Sequence, residues 1–163
     1  MNESVKVAGY VKWELVRDGR VVDSWEGSNV VTNVGKNKLA ALLNGSGTGN
    51  TFVTHMGFGS GITRESAADT ALQTELSGNG YARIAVTRSN PSGNVVQYQA
   101  TITGITAPVT INEAGLFDAA TGGTLVAHKA GPAGNDGAPY GFGTASLSSG
   151  NDSLQVTWQL QIN

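Results

Sequence analysis

An all-β fold, an antiparallel β-sandwich or jelly-roll-like arrangement with one short helix, is predicted by three observations. From Leu154 to Ile162 the chain alternates without a break: Leu154, Val156, Trp158, Leu160 and Ile162 are apolar, while Gln155, Thr157, Gln159 and Gln161 are polar and uncharged. That is the period-two signature of a half-buried strand. Similar runs recur along the 163 residues between Gly, Asn and Asp turn signals, giving about eight strands at the regular spacing of sandwiches and barrels. Only Lys36 to Leu43 carries leucines at helical spacing.

In chain order, Val5, Val7, Val11, Trp13 and Leu15 share one parity and Lys6, Lys12 and Glu14 the other. Asp18-Gly19 then supplies a strong hairpin signal, because glycine accepts a positive φ and aspartate bonds its own backbone. The return strand runs from about Arg20 to Val31, and Trp13 and Trp25 are expected to pack across the hairpin. Thr32-Asn33-Val34-Gly35 offers a helix N-cap and Asn44-Gly45 a stop. A helix of two turns needs the sheet beneath it, so Leu39, Leu42 and Leu43 are expected to be buried and Lys36 and Lys38 solvated. Gly45 to Asn50 reads as a polar loop, Thr51 to Gly59 as strand, and Ser66 to Leu76 as a helical turn or a loop crossing the surface. Arg83–Arg88 and Val95–Thr103 flank the turn Asn90-Pro91-Ser92-Gly93-Asn94; Val109–Phe117 and Thr124–Lys129 flank Ala120-Thr121-Gly122-Gly123. The whole of 1–163 is expected to form a single domain, with an N-terminal hairpin at 1–33, the short helix at 34–44 and a long Gly-rich loop at 130–143.

Composition narrows the function. Ten Lys and Arg against twelve Asp and Glu leave no positive excess to neutralise phosphates, so nucleic acid is not an expected partner. No apolar run approaches the roughly 18 residues of a membrane span, and the first residues lack a signal-peptide core, so a soluble chain made in the cytoplasm is expected. Zero cysteines exclude thiol catalysis and thiolate metal sites. Charged residues make up 13%, about half the usual share, and the 23 glycines are about twice the usual number. A surface of Gly, Ser, Thr, Asn and Gln suits burial in an assembly, because it strands few charges.

Sites for chemistry are few. Gly57-Phe58-Gly59-Ser60-Gly61 has Ile62 where the third glycine of a dinucleotide fingerprint belongs, so a tight turn leaving a strand is the better reading. His55 and His128 stand apart from any paired metal-ligand spacing or nucleophile motif and read as ordinary strand residues. Glu65 and Asp69 flank a polar loop without the twelve-residue calcium pattern. Glu113 lies among Ile111, Leu116 and Phe117, where a buried carboxylate needs a partner; Arg83 or Arg88 is expected to supply it as a structural ion pair. No catalytic residue, cofactor or metal is expected. In the loop 130–143, Pro132, Pro139, Tyr140 and Phe142 are the expected interface residues, with the two aromatics as anchors.

Five segments in order carry a resemblance: Val30-Val31-Thr32-Asn33-Val34-Gly35 leading into Leu39-Ala40-Ala41-Leu42-Leu43, His55 to Gly61, Asp69 to Leu76, Thr110 to Asp118, and Gly122 to His128, closed by Leu154 to Trp158. Together they resemble small tailed-bacteriophage virion structural proteins of the head-decoration (cement) and tail-fibre-like group. The N-terminal hairpin, and a loop at 130–143 longer than the group leads one to expect, are departures that leave the attachment surface open. The resemblance implies a non-enzymatic virion component, made in the host cytoplasm, that decorates or cements the capsid by protein contacts. Its expected partners are the major capsid protein or another virion protein, and copies of itself in a homo-oligomer. A tail or head-fibre adaptor is the second reading. A carbohydrate-binding β-sandwich is the third, with Tyr81, Tyr98, Tyr140 and Phe142 as its aromatic platform.

Overall fold

The computed structural model describes residues 5–45, 52–131, 141–148 and 150–163. Its strands are β1 (Val7–Arg17), β2 (Arg20–Val31), β3 (His55–Gly59), β4 (Ile84–Ala85), β5 (Thr87–Ser92), β6 (Val95–Ile102), β7 (Val109–Ile111), β8 (Glu113–Phe117), β9 (Leu125–Ala130), β10 (Ala145–Leu147) and β11 (Asp152–Ile162), with one helix, α1 (Asn33–Leu43). The expected all-β fold with a single short helix is the observed one. Strands outnumber expectation because two runs are interrupted, one at Val86 and one at Asn112, where the chain changes pairing partner, and because Ala145–Leu147 adds β10.

Nine strands form one antiparallel sheet in the order β4-β3-β8-β9-β2-β1-β11-β6-β5, and β7 pairs with β10 beside it. The outermost strands, β4 and β5, are separated in the chain by Val86 alone. Ile84 and Ala85 pair with Met56 and His55, and Thr87 to Ser89 pair with Gln99 to Gln97. The sheet therefore curls until its two ends meet in one bent stretch of chain. β2 makes the opposite corner, pairing with β1 along most of its length and with β9 only through Val30 and Val31. Strands that switch layers in this way close a sandwich at its corners and remove free edges there.

Inside lies a shared core to which both layers contribute: Trp13, Ile102, Leu154 and Trp158 from one, Met56, Phe58 and Leu116 from the other. The alternation in β11 places Leu154, Val156, Trp158 and Leu160 inward, each buried, with the glutamines and threonine outward. Its neighbours continue that outer face: Gln97 accepts a 2.8 Å bond from Gln159, and Gln99 donates to Thr157 at 3.4 Å. Lys12 and Glu14 on β1 neutralise one another at 2.8 Å.

The Asp18-Gly19 turn holds both residues at positive φ, 49° and 75°, and sets Trp13 opposite Trp25 as expected. Phe142 completes that group, its ring 6.2 Å from Trp13 and 6.0 Å from Trp25, while Trp13 Nε1 donates to the Phe142 carbonyl at 2.5 Å. Thr32 caps α1 by accepting from Gly35 N at 3.0 Å. At Gly35 the helix meets β9 so closely that any Cβ would collide with the Val126 carbonyl. This first-turn contact seats the helix, and the leucines are less buried than expected: Leu39 and Leu42 are half-buried and Leu43 is 80% exposed. Lys38, expected in solvent, pairs with Asp118 at 2.5 Å.

Trp158 is fully buried at the centre of β11. Trp158→Ala should cost about 3–5 kcal/mol, the usual loss for a large buried aromatic, measured by chemical denaturation. A midpoint unchanged from the parent would show that the inner face has been misassigned.

Candidate functional site

Residues 60–83 form a strap without helix or strand, apart from a bridge between Glu75 and Gly59, laid across the outer face of β3, β8 and β9. This settles the open choice for Ser66 to Leu76 in favour of a surface-crossing loop. The sequence Gly57-Phe58-Gly59-Ser60-Gly61 explains how the strap fits. Phe58 points into the core and is fully buried, so the alternating glycines face outward. A Cβ on Gly59 would collide with Glu113 Oε1 and come within 2.6 Å of the Thr74 carbonyl; on Gly61 it would lie 2.6 Å from both Gln73 and Glu113. The glycines make a trough, which is filled by the strap backbone and one carboxylate.

That carboxylate is Glu113, fully buried on β8. It accepts backbone N–H bonds from Gly61 at 3.0 Å, Gln73 at 2.9 Å and Thr74 at 2.7 Å. His128 of β9, also fully buried, places Nε2 3.1 Å from Glu113 Oε2 and Nδ1 2.7 Å from Asp69 Oδ2. Burial opposes ionisation of Glu113, but the bonds from His128 and from the N–H groups of Thr74, Gln73 and Gly61 outweigh it and hold its pKa below the ordinary value. Burial likewise opposes a charged His128, but Glu113 and Asp69 raise its pKa above the ordinary value.

Further ties run along the strap. Lys129 pairs with Glu65 at 2.8 Å, both side chains almost wholly buried, and Glu65 also accepts from Ala130 N at 3.2 Å. Arg83 clasps Glu75 through two bonds, donates to the carbonyls of Ala119 and Gly122, and lies 3.4 Å above the Phe117 ring. Leu72 of the strap joins Phe117 and Leu125 in a second small apolar cluster.

The expected ion pair is thus corrected. Glu113 is neutralised by His128 and backbone donors; Arg83 serves Glu75, and Arg88 sits opposite Tyr98 on β5 in the other layer of the sheet. His128 was missed in the sequence because its two carboxylate partners come from distant segments. Phe142 is corrected as well: it is fully buried against Trp13 and Trp25 and unavailable as an exposed anchor. Pro132, Pro139 and Tyr140 lie outside the described residues. Of the proposed sugar platform, Tyr81, Tyr98 and Phe142 are core residues exposed by 3% or less. Among the described residues no group of three or more His, Asp or Glu has metal-binding geometry, and both ring nitrogens of His128 are committed to carboxylates. The arrangement ties a loop to a sheet.

A family model described as podophage GP4 fiber I protein gp80 matches residues 32–136, more than half of the chain and the part that carries α1, the glycine trough, the strap, Glu113 and His128. The chain belongs to this family. Membership makes it a fibre-type structural protein of the phage virion. β1, β10 and β11, and β2, which ends at Val31, lie outside the matched residues. Neither the comparison with curated proteins nor that with solved structures gives a match.

Two substitutions test the trough. Gly59→Ala should destabilise by about 2–3 kcal/mol through overpacking, whereas Gly93→Ala, where a Cβ meets nothing within 4 Å, should stay within about 0.5 kcal/mol of the parent. Thermal melts of both decide it, and equal effects would mean that the trough does not exist. Glu113→Gln should cost about 2–4 kcal/mol, because an amide turns a donor toward a ring of donors. A stable variant that no longer enters particles would instead assign Glu113 to an interface.

Proposed function

We propose that this protein is an adaptor of a podophage head or tail fibre, working through buried protein surface and not through chemistry. The family match to a fibre protein carries this reading. The attachment surface is the outer face of β1, β6 and β11, where Gln97, Gln99, Gln155, Thr157, Gln159 and Gln161 present amides and a hydroxyl. Such a face is buried without desolvating unpaired charges, each of which would cost several kcal/mol, and its amides offer both donors and acceptors to a partner strand or loop. The partner is another virion protein or a further copy of this chain. Capsid decoration, the other virion role, uses the same physics at a different place on the particle.

Immunogold labelling of intact particles separates the two: the fibre reading predicts label confined to fibres or to one vertex, and label spread over the head lattice would overturn it in favour of decoration. Within the fibre reading, Gln159→Lys combined with Thr157→Lys should leave the melting temperature within a few degrees of the parent, as is usual for surface changes, while sharply reducing incorporation into particles. Normal incorporation would remove this face from the attachment surface.

A further inference from the structure

His128 is placed between two carboxylates, with Nε2 3.1 Å from Glu113 Oε2 and Nδ1 2.7 Å from Asp69 Oδ2. A neutral imidazole carries one N–H and one lone pair, so it would donate to one of these oxygens and aim its lone pair at the other; only the imidazolium donates to both. Both carboxylates are already served as acceptors by backbone, Glu113 by Gly61, Gln73 and Thr74, and Asp69 by Ser66 N at 2.8 Å. The three side chains come from β9, β8 and the strap, so the protonated ring joins the strap's turn at 66–69 to the sheet, beside the bond that Asn33 N donates to the Ala67 carbonyl at 2.7 Å.

We propose that His128 is the pin of a pH-released latch, holding the strap against β8 and β9 while its ring is an imidazolium and freeing the Asp69 end when the ring gives up a proton on the alkaline side. The Asp69 end is the one that opens. Its side chain is 26% exposed, so water can replace the lost donor, whereas Glu113 is fully buried and keeps the remaining N–H. The other charged or titratable groups on the elements packed here are Lys129 with Glu65, Arg83 with Glu75, Lys38 of α1 with Asp118, the exposed Lys36 of α1, His55 of β3 with its Nδ1 2.8 Å from Thr54 Oγ1, and Arg64 on the strap. The first two pairs tie the strap elsewhere, so the release is local. It loosens the cover over Phe117 and Leu125, to which Leu72 of the strap contributes, without dismantling the core.

The raised His128 pKa agrees in sign. A group whose folded pKa exceeds its unfolded value contributes stability that is full below the unfolded pKa and is lost as pH rises through the folded one.

Nitrogen NMR of the histidine rings, with amide exchange corrected for intrinsic rate at Ser66, which donates to Asp69, and at Asn33, which donates to the Ala67 carbonyl of the strap's turn at 2.7 Å, tests the latch as pH rises through and above the ordinary histidine range of about pH 5 to 8. Two protonated ring nitrogens at the acid end are expected, with a fall in protection on the order of tenfold that shares its midpoint with the ring titration. In Asp69→Asn, where an amide can donate to the neutral ring, the midpoint should drop and the pH dependence of protection should shrink. A singly protonated ring at the acid end, a fall in protection with a different midpoint, or an unchanged profile in Asp69→Asn would each overturn the proposal.

Discussion

The outer layer of this protein depends on one buried carboxylate. Glu113 is accessible to no solvent, and a carboxylate there is stable only with a near-complete set of donors. Three backbone N–H groups and the His128 ring supply them, and two of those N–H groups, Gln73 and Thr74, belong to the middle of a strap that has no ladder of its own. The carboxylate thus does for the strap what a neighbouring strand does for a sheet: it gives the backbone donors somewhere to go. Gly59 at the end of β3 and Gly61 at the start of the strap follow from the same requirement, because any side chain on either would occupy the place of the carboxylate.

What was legible in the sequence was what hydropathy records. The period-two runs in β1, β6 and β11, the Asp18-Gly19 turn, the pairing of Trp13 with Trp25 and the Thr32 cap all appear as expected, because each is written in side chains whose polarity or conformational preference is local. The need for a partner at Glu113 was also legible from its apolar neighbours. The partner was not, since three of its donors are backbone N–H groups, which any residue except proline can supply, and the fourth lies 15 positions away on the adjacent strand. Gly57, Gly59 and Gly61 alternate as strictly as any strand, but glycine has no hydropathy to report. Phe142 shows the reverse case: an aromatic in a glycine-rich segment reads the same whether it turns outward to a partner or inward to Trp13 and Trp25.

The matched family region and the remaining strands divide the work. Residues 32–136 hold the strap, its carboxylate and the helix seated on Gly35, while β1, β2 and β11 stand between β9 and β6 and close the curled sheet. The polar, nearly uncharged outer face is built largely by β11 and β6, so it joins a strand outside the matched residues to one within them. A fibre-type virion protein needs surface that can be buried and a framework that keeps that surface flat. In the proposed fibre-adaptor role the surface is supplied by the amides of this face, and the polar contacts buried under the strap, in the other layer of the curled sheet, are part of the framework.

The most direct test of this account is a carboxyl carbon NMR titration that follows Glu113 in the folded protein. The account predicts that its signal stays at the ionised position well below the ordinary carboxylate range and moves only when the strap or the whole fold comes apart, because the bonds from His128 and the backbone outweigh burial. A Glu113 that titrates at the ordinary value while the protein stays folded would contradict it, and would mean that the strap is held by something else.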